Sequence, residues 1–318
     1  MNISGKLIEI LADGHFHSGS VMAKELGVTR AAVWKHIIKL KQMGLNVFSV
    51  SGKGYKIPGG VDLLNKQWLV ESIGSKFDSK VKLEVFNSIA STNQFLIDQS
   101  EPVKFHFCLS EYQYAGRGRL GRQWHSPFAR NIYLSVKYKF PLLLDVSGLS
   151  LAVGIWVAEL IEGMGCSEVK VKWPNDILIN DRKVGGILTE LSSAEVGSRE
   201  VVIGLGLNWA MPDEVDVEQA WGNLGPMLNG ISRNQMVLAL IDKFILGLNE
   251  FEKGRKYSQL QNWSKFDFLR DKKISIKLGN RSINGNYKGI NEQGFILVEA
   301  DGNIEAYSGG EVSVRAVK

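Results

Sequence analysis

The residues best suited to chemistry form one short run, Gly116-Arg117-Gly118-Arg119-Leu120-Gly121-Arg122. Three glycines and three arginines in seven residues fit a loop that closes on an anion. Glycine lets backbone N–H groups approach, and guanidinium neutralises phosphate or carboxylate in forked contacts. The run also satisfies G-x-G-x-x-G, but a dinucleotide turn needs a helix opening at its third glycine. Gln123-Trp124-His125-Ser126-Pro127 follows instead. An anion-closing loop is therefore the better reading, with a solvated basic loop as the plainer alternative. A Walker A pattern is absent, which argues against ordinary P-loop chemistry.

A second group lies at Lys172-Trp173-Pro174-Asn175-Asp176 and at Asp181-Arg182-Lys183-Val184-Gly185-Gly186. Polar side chains held at a Trp-Pro bend suit a ligand, although Asn and Asp there can equally serve the turn backbone. Lys183 stands just past the Asn180-Asp181 turn and enters a Gly-Gly strand that a ligand can approach closely. Cys108 and Cys166 are far apart and lack C-x-x-C spacing, so neither a disulfide framework nor a zinc knuckle is expected, and the compartment is a reducing one. No uncharged stretch approaches the ~20 residues that cross a bilayer, so a soluble cytoplasmic protein with no membrane contact is expected.

Holding these groups in place requires alternating elements over residues 66–270. The spacing predicts helices at Trp68–Ile73, Thr92–Gln99, Leu149–Met164 and Gln235–Phe251. It predicts strands at Phe105–Glu111, Asn131–Tyr138, Val169–Trp173, Asp176–Ile179, Gly186–Ser192 and Val201–Asn208, giving an α+β domain around a mixed sheet. Residues 271–318 hold five short alternating runs between Gly, Asn and Asp turns, the pattern of a small SH3-like β-barrel.

Residues 1–60 carry eight basic residues against three acidic ones, so the whole +5 net charge lies there and the remainder balances. Such a basic head suits a polyanion. Apolar spacing over residues 3–12, a short helix after Ser18 stopped by Gly27, and a third helix capped by Thr29 make a helix-turn-helix over Gly19–Ile38. Thr29, Arg30, Lys35, His36 and Lys39 fall largely outside its apolar stripe and are candidates to meet DNA. Residues 47–57 alternate around Gly52-Lys53-Gly54 as a wing with Lys53 at its tip. A helical module used for protein contacts is the alternative. Pro58-Gly59-Gly60 marks the boundary.

Taken together, Ser91-Thr92-Asn93, Glu111 to Arg122, Lys172-Trp173-Pro174-Asn175-Asp176 and Asp181-Arg182-Lys183 strongly resemble the biotin–protein ligase family, end to end. With a winged helix in front, the resemblance is to the bifunctional members that also repress the biotin operon. One departure is Leu120, where relatives often carry another basic residue. The resemblance implies that biotin and MgATP form biotinyl-5′-AMP, that biotin passes to a lysine of the biotin carboxyl carrier protein of acetyl-CoA carboxylase, and that the adenylate acts as corepressor on a homodimer at operator DNA. It further implies catalytic roles for Lys183, Arg117, Arg119 and Asp176, the last orienting the incoming lysine. Ser91, Thr92, Asn93, Gln113, Arg117, Gly118, Arg119, Trp124, Lys183, Gly186 and Gly204 would bind biotin. Arg119, Arg122, Lys172, Asn175 and Asn208 would face the nucleotide, with Mg²⁺ arriving on ATP and no structural metal. Two other readings stay open: a ligand-sensing regulator without ligase activity, and a lipoate-type ligase.

Overall fold

Local signals in the first sixty residues are strong enough to set the head. The computed structural model describes residues 3–77, 80–100, 103–192, 198–212, 219–255, 259–279, 281–310 and 312–316. Helices α1 (Ile3–Leu11), α2 (Gly19–Leu26) and α3 (Arg30–Gln42) precede the two-stranded wing β1 (Phe48–Val50) and β2 (Gly54–Lys56). Ser18 caps α2 by accepting from Ser20 N–H, and Thr29 caps α3 by accepting from Ala32 N–H at 3.1 Å. Gly27 ends α2 at φ 66°, a left-handed turn that favours glycine. Leu7, Leu11, Met22, Val33, Ile37 and Leu40 bury together beneath them.

His17 and Tyr55 exchange backbone bonds of 2.8 and 2.9 Å, which ties the wing to the start of α2. Arg30, Lys35 and Lys39 are exposed on α3, and Lys53 stands at the wing tip. His36 differs from these neighbours: its Nδ1 lies 2.8 Å from Ser4 Oγ, so the half-buried ring braces α3 against α1.

The central domain is built on a seven-stranded mixed sheet. Its elements are α4 (Lys66–Phe77), β3 (Val81–Phe86), α5 (Thr92–Ile97), β4 (Phe105–Ser110), β5 (Asn131–Pro141), α6 (Leu149–Gly163), β6 (Val169–Lys172), β7 (Asp176–Ile179), β8 (Arg182–Leu191), β9 (Ser198–Asn208), α7 (Arg233–Glu252) and α8 (Trp263–Phe266). Strand order is β3-β4-β5-β9-β8-β7-β6, with β3 and β4 parallel and every other pair antiparallel. Helix α6 is apolar nearly all round because it is covered on several sides, packing against both the sheet and α7. Strand β3 has no counterpart among the strands expected above. Its alternation, Val81-Lys82-Leu83-Glu84-Val85-Phe86, is the signal for it, and all six residues are half-buried at the sheet edge.

A buried ion pair fastens the linker to this domain. Arg233 at the start of α7 and Glu111 just after β4 are 0% and 2% exposed, with Nη1 to Oε2 at 2.7 Å and Nη2 to Oε1 at 3.1 Å. Arg233 also donates to the carbonyl of Asp62, and Glu111 accepts from Leu64 N–H, so both charges hold the chain leaving the wing. Removing one partner strands the other in an apolar interior. Arg233→Met is therefore expected to cost about 3–5 kcal/mol, read as a lower denaturant midpoint; an unchanged midpoint contradicts this role.

The C-terminal unit consists of β10 (Lys273–Leu278), β11 (Arg281–Ile290), β12 (Ile296–Ala300), β13 (Asn303–Tyr307) and β14 (Val312–Ala316). They form a five-stranded antiparallel sheet in the order β13-β12-β11-β10-β14. Among the described residues no pairing joins β13 to β14. The unit is seated on the central domain by Trp173, 2% exposed, whose Nε1 donates to Gly294 O at 2.9 Å.

Candidate active site

The Gly-Arg run folds as a small hairpin over the sheet. Trp124 N–H bonds Gly116 O at 2.9 Å and Gly118 N–H bonds Arg122 O at 2.7 Å. Leu120 (φ 56°) and Gly121 (φ 73°) form its tip, both left-handed as a tight hairpin turn requires. Leucine in this conformation costs about 1–2 kcal/mol relative to a right-handed one. The departure at Leu120 thus falls on an exposed turn position that glycine or asparagine would fill with less strain. At the base, Ala129 N–H bonds Glu111 O, while Phe128 and Ala129 join the buried cluster of the head.

Beneath the hairpin a polar chain crosses the sheet. Gln113 Oε1 accepts from Thr92 N–H at 2.8 Å and from Thr92 Oγ1 at 3.1 Å, and Gln113 Nε2 donates to Ser126 Oγ at 3.3 Å. Ser135 Oγ lies 2.7 Å from Thr92 Oγ1 and 2.6 Å from Asn93 Oδ1. Asn93 Nδ2 donates to Leu188 O at 3.2 Å and to Glu190 Oε2 at 2.8 Å. Ser91 is buried and caps α5 through Gln94 N–H. Of these, Ser91, Thr92, Asn93 and Gln113 line one end of a cavity of about 990 Å³, large enough for a nucleotide-sized ligand.

The other end is cationic. Arg117, Arg119, Arg122, Lys172, Lys183 and Arg315 line the cavity with Asp176 as the one carboxylate among the described lining residues. Lys183 Nζ lies 2.7 Å from Asp176 Oδ1 and 5.4 Å from the centre of the Trp124 ring. Burial, opposed by Asp176 and reinforced by Lys183, Arg315 and Lys272, holds the Lys172 ammonium below its ordinary pKa. An anion entering here relieves that crowding. Burial likewise lowers the Arg119 guanidinium, which donates to Asn175 Oδ1 at 3.2 Å, to Gly309 O and to Val312 O at 3.3 Å. Arg119 thus clips the hairpin to the C-terminal unit. Asn175 Nδ2 donates to Ile187 O at 2.7 Å, and Asn208 Nδ2 reaches Lys183 O and Gly222 O.

The glycines serve side chains as much as space. A Cβ at Gly204 would collide with Asn93 Oδ1, and one at Gly206 would enter the Trp124 ring. At Gly186 it would stand 3.2 Å from that ring and 3.4 Å from Lys183 Cε, whereas Gly118 has only ordinary contacts around it. All the expected pocket residues, Ser91, Thr92, Asn93, Gln113, Arg117, Gly118, Arg119, Arg122, Trp124, Lys172, Asn175, Asp176, Lys183, Gly186, Gly204 and Asn208, converge on this cavity. Sequence reasoning passed over Ser135 and Glu190, the hydrogen-bond partners of Asn93, and over the lining residues Trp221, Phe268 and Arg315. Both cysteines are buried, and burial pushes their thiols up in pKa, so neither is a ready nucleophile.

Residues 85–208 match the model of the biotin/lipoate A/B protein ligase family, residues 5–56 an HTH domain, and residues 271–315 the biotin protein ligase C-terminal domain. The bifunctional ligase/repressor BirA of Escherichia coli is 40% identical over 98% of this chain and 97% of its own length. The chain belongs to the biotin–protein ligase family. The bifunctional ligase/repressor BirA of Salmonella typhimurium is also 40% identical, with the same coverage. In fold, a biotin protein ligase from Aquifex aeolicus in complex with biotin and ATP superposes with a TM-score of 0.64, at 24% identity, over 74% of this chain and 99% of that one. The hairpin, the polar floor and the cations Arg119, Arg122, Lys172 and Lys183 therefore lie within the segment matched by the ligase family model, and Arg315 within the C-terminal match.

Proposed function

We infer that this protein activates biotin with ATP to biotinyl-5′-AMP and transfers biotin to a lysine of the biotin carboxyl carrier protein of acetyl-CoA carboxylase. With the adenylate bound, it represses the biotin operon through its winged helix. The observation that carries the reading is a cavity lined by Arg119, Arg122, Lys172, Lys183 and Arg315, with Asp176 as the one carboxylate among the described lining residues and an amide and hydroxyl floor at the far end. Such a cavity suits a polar, uncharged head group at one end and phosphates at the other.

In the first step a biotin carboxylate oxygen attacks the α-phosphorus, and the bond to the β-phosphate breaks, releasing pyrophosphate. Catalysis of such a step is largely positioning and charge neutralisation. Lys183 and Arg119 neutralise carboxylate and α-phosphate, while Arg122 and Lys172 face the remaining phosphates with Asn175 and Asn208 beside them. Mg²⁺ comes as the counterion of ATP and shares that charge; among the described residues no group of three or more His, Cys, Asp or Glu could hold a metal independently. Ser91, Thr92, Asn93 and Gln113 receive the ureido ring, Trp124 covers its apolar side, and Gly118, Gly186 and Gly204 keep the walls thin. In the second step the carrier lysine attacks the acyl carbon, AMP leaves, and the amine sheds a proton. Asp176, once Lys183 turns to the phosphate, is free to orient that amine. The mixed anhydride is already activated, so no protein nucleophile is required.

Residues 1–60, 66–270 and 271–318 act as head, catalytic domain and cap, the last an SH3-like barrel. No described helix is long and apolar enough to cross a membrane, and the cytoplasm, where ATP and carrier meet, is the proposed location. Biotin-dependent exchange of labelled pyrophosphate into ATP tests the first step; no exchange with biotin overturns it.

Arg30, Lys35, Lys39 and Lys53 are the proposed DNA contacts, on an adenylate-bound dimer whose two heads meet a two-fold operator. Lys53→Ala is expected to weaken binding to all sequences alike and to reduce the salt slope of operator binding by about one. An unchanged slope removes the wing tip from the interface, and adenylate that fails to tighten operator binding removes the corepressor role.

A further inference from the structure

Arg117 does not point its charge at the cationic end of the cavity. Its Nη2 lies 3.0 Å from Glu190 Oε1 and 3.2 Å from Glu190 Oε2. Glu190 sits on β8, paired with β9 opposite Val202, and its Oε2 simultaneously accepts from Asn93 Nδ2. One carboxylate therefore joins the Gly-Arg hairpin to the floor residue that occupies the space above Gly204. The same hairpin returns to the floor at Trp124, whose carbonyl ends the hydroxyl chain through Ser126.

We propose that Glu190 is the catch of a lid: a positioning residue that holds the hairpin shut through Arg117 and fixes the Asn93 amide at the same time. The proposal rests on the ligase reading and adds to it a division of labour. Arg117 and Glu190 neutralise each other, so this arginine holds the hairpin to β8, while Arg119 holds its edge nearest the C-terminal unit and shares the phosphates with Lys183 and the other cations. A lone carboxylate at this position would repel an anionic ligand. Paired, it adds no net charge. The pair is partly exposed, 42% on the arginine side and 25% on the glutamate side, which suits a contact that opens and closes on each turnover.

Glu190→Gln keeps an acceptor for Asn93 and removes the charge that Arg117 needs. The KM for biotin and the rate at which adenylate escapes should each rise about fivefold, with kcat for pyrophosphate release within about twofold of the parent, as befits a charge-assisted contact at a partly exposed site. Arg117→Gln should raise adenylate escape by the same factor, and for that readout the double variant should be no worse than either single one. Tryptic cleavage after Arg119 and Arg122, followed by mass spectrometry, should quicken about fivefold in each variant through the loss of the same contact. That readout needs no catalysis, so it still decides the catch if the parent protein forms no adenylate, a result that would overturn the ligase reading instead. Unchanged KM, retention and cleavage, additive effects in the double variant, or only a lower melting temperature would each overturn the proposal.

Discussion

Lys183→Ala should abolish most of the adenylate-forming activity, lowering biotin-dependent pyrophosphate release by about 10²–10³-fold, the scale of losing one preorganised charge at a transition state. The backbone of Lys183 is held at three points: its N–H by Ala220 O, and its carbonyl by Gly222 N–H and Asn208 Nδ2. A turn at Asn180-Asp181, with φ of 50° and 61°, launches the strand, and Val184 is an extra residue bulged opposite Ile177-Leu178. The ammonium is therefore aimed by the main chain, and truncation removes it without moving its support. It also leaves Asp176 unpaired. The double variant Lys183→Ala/Asp176→Asn should regain any stability lost without regaining rate. Pyrophosphate release at the parental rate in Lys183→Ala would remove this residue from the mechanism.

Arg119→Ala should let biotinyl-5′-AMP escape at least about tenfold faster, since charged hydrogen bonds contribute roughly 1.5–3 kcal/mol each and desolvation offsets part of it. The guanidinium ties the hairpin to Asn175 and to the carbonyls of Gly309 and Val312, so one side chain closes the lid against two other parts of the molecule. Its loss opens the lid along the edge nearest the C-terminal unit. Rapid filtration of protein loaded with labelled adenylate measures the escape, and unchanged retention would show that the lid is held elsewhere.

These two residues also mark how far the amino-acid sequence can be read. Much of what is local was legible: the helix starts at Ser18 and Thr29, the Asn180-Asp181 turn, the wing around Lys53 and the Gly-Arg run each announce themselves within a few residues, although the alternation of β3 was passed over. Partners remote in the chain were not. Arg119 meets Gly309, Arg117 meets Glu190 and Glu111 meets Arg233, and nothing in the neighbouring residues specifies such pairings. Gly204 is an intermediate case, because its need for a missing Cβ is visible while the identity of what fills the space, the Asn93 amide, is not. The basic stripe of α3 was read as one surface, yet His36 turns inward to Ser4, a choice made by the packing of α1.

The central claim is that the cavity builds an acyl adenylate from biotin and hands it to a carrier. Incubating the protein with MgATP, biotin and the carrier domain, with lipoate replacing biotin in a parallel tube, and weighing the carrier by mass spectrometry tests it directly. One biotinyl group on a single carrier lysine, and an unmodified carrier in the lipoate tube, is the predicted result. A carrier unmodified in both tubes would leave only a ligand-sensing regulator, and a lipoylated carrier would make the protein a lipoate-type ligase.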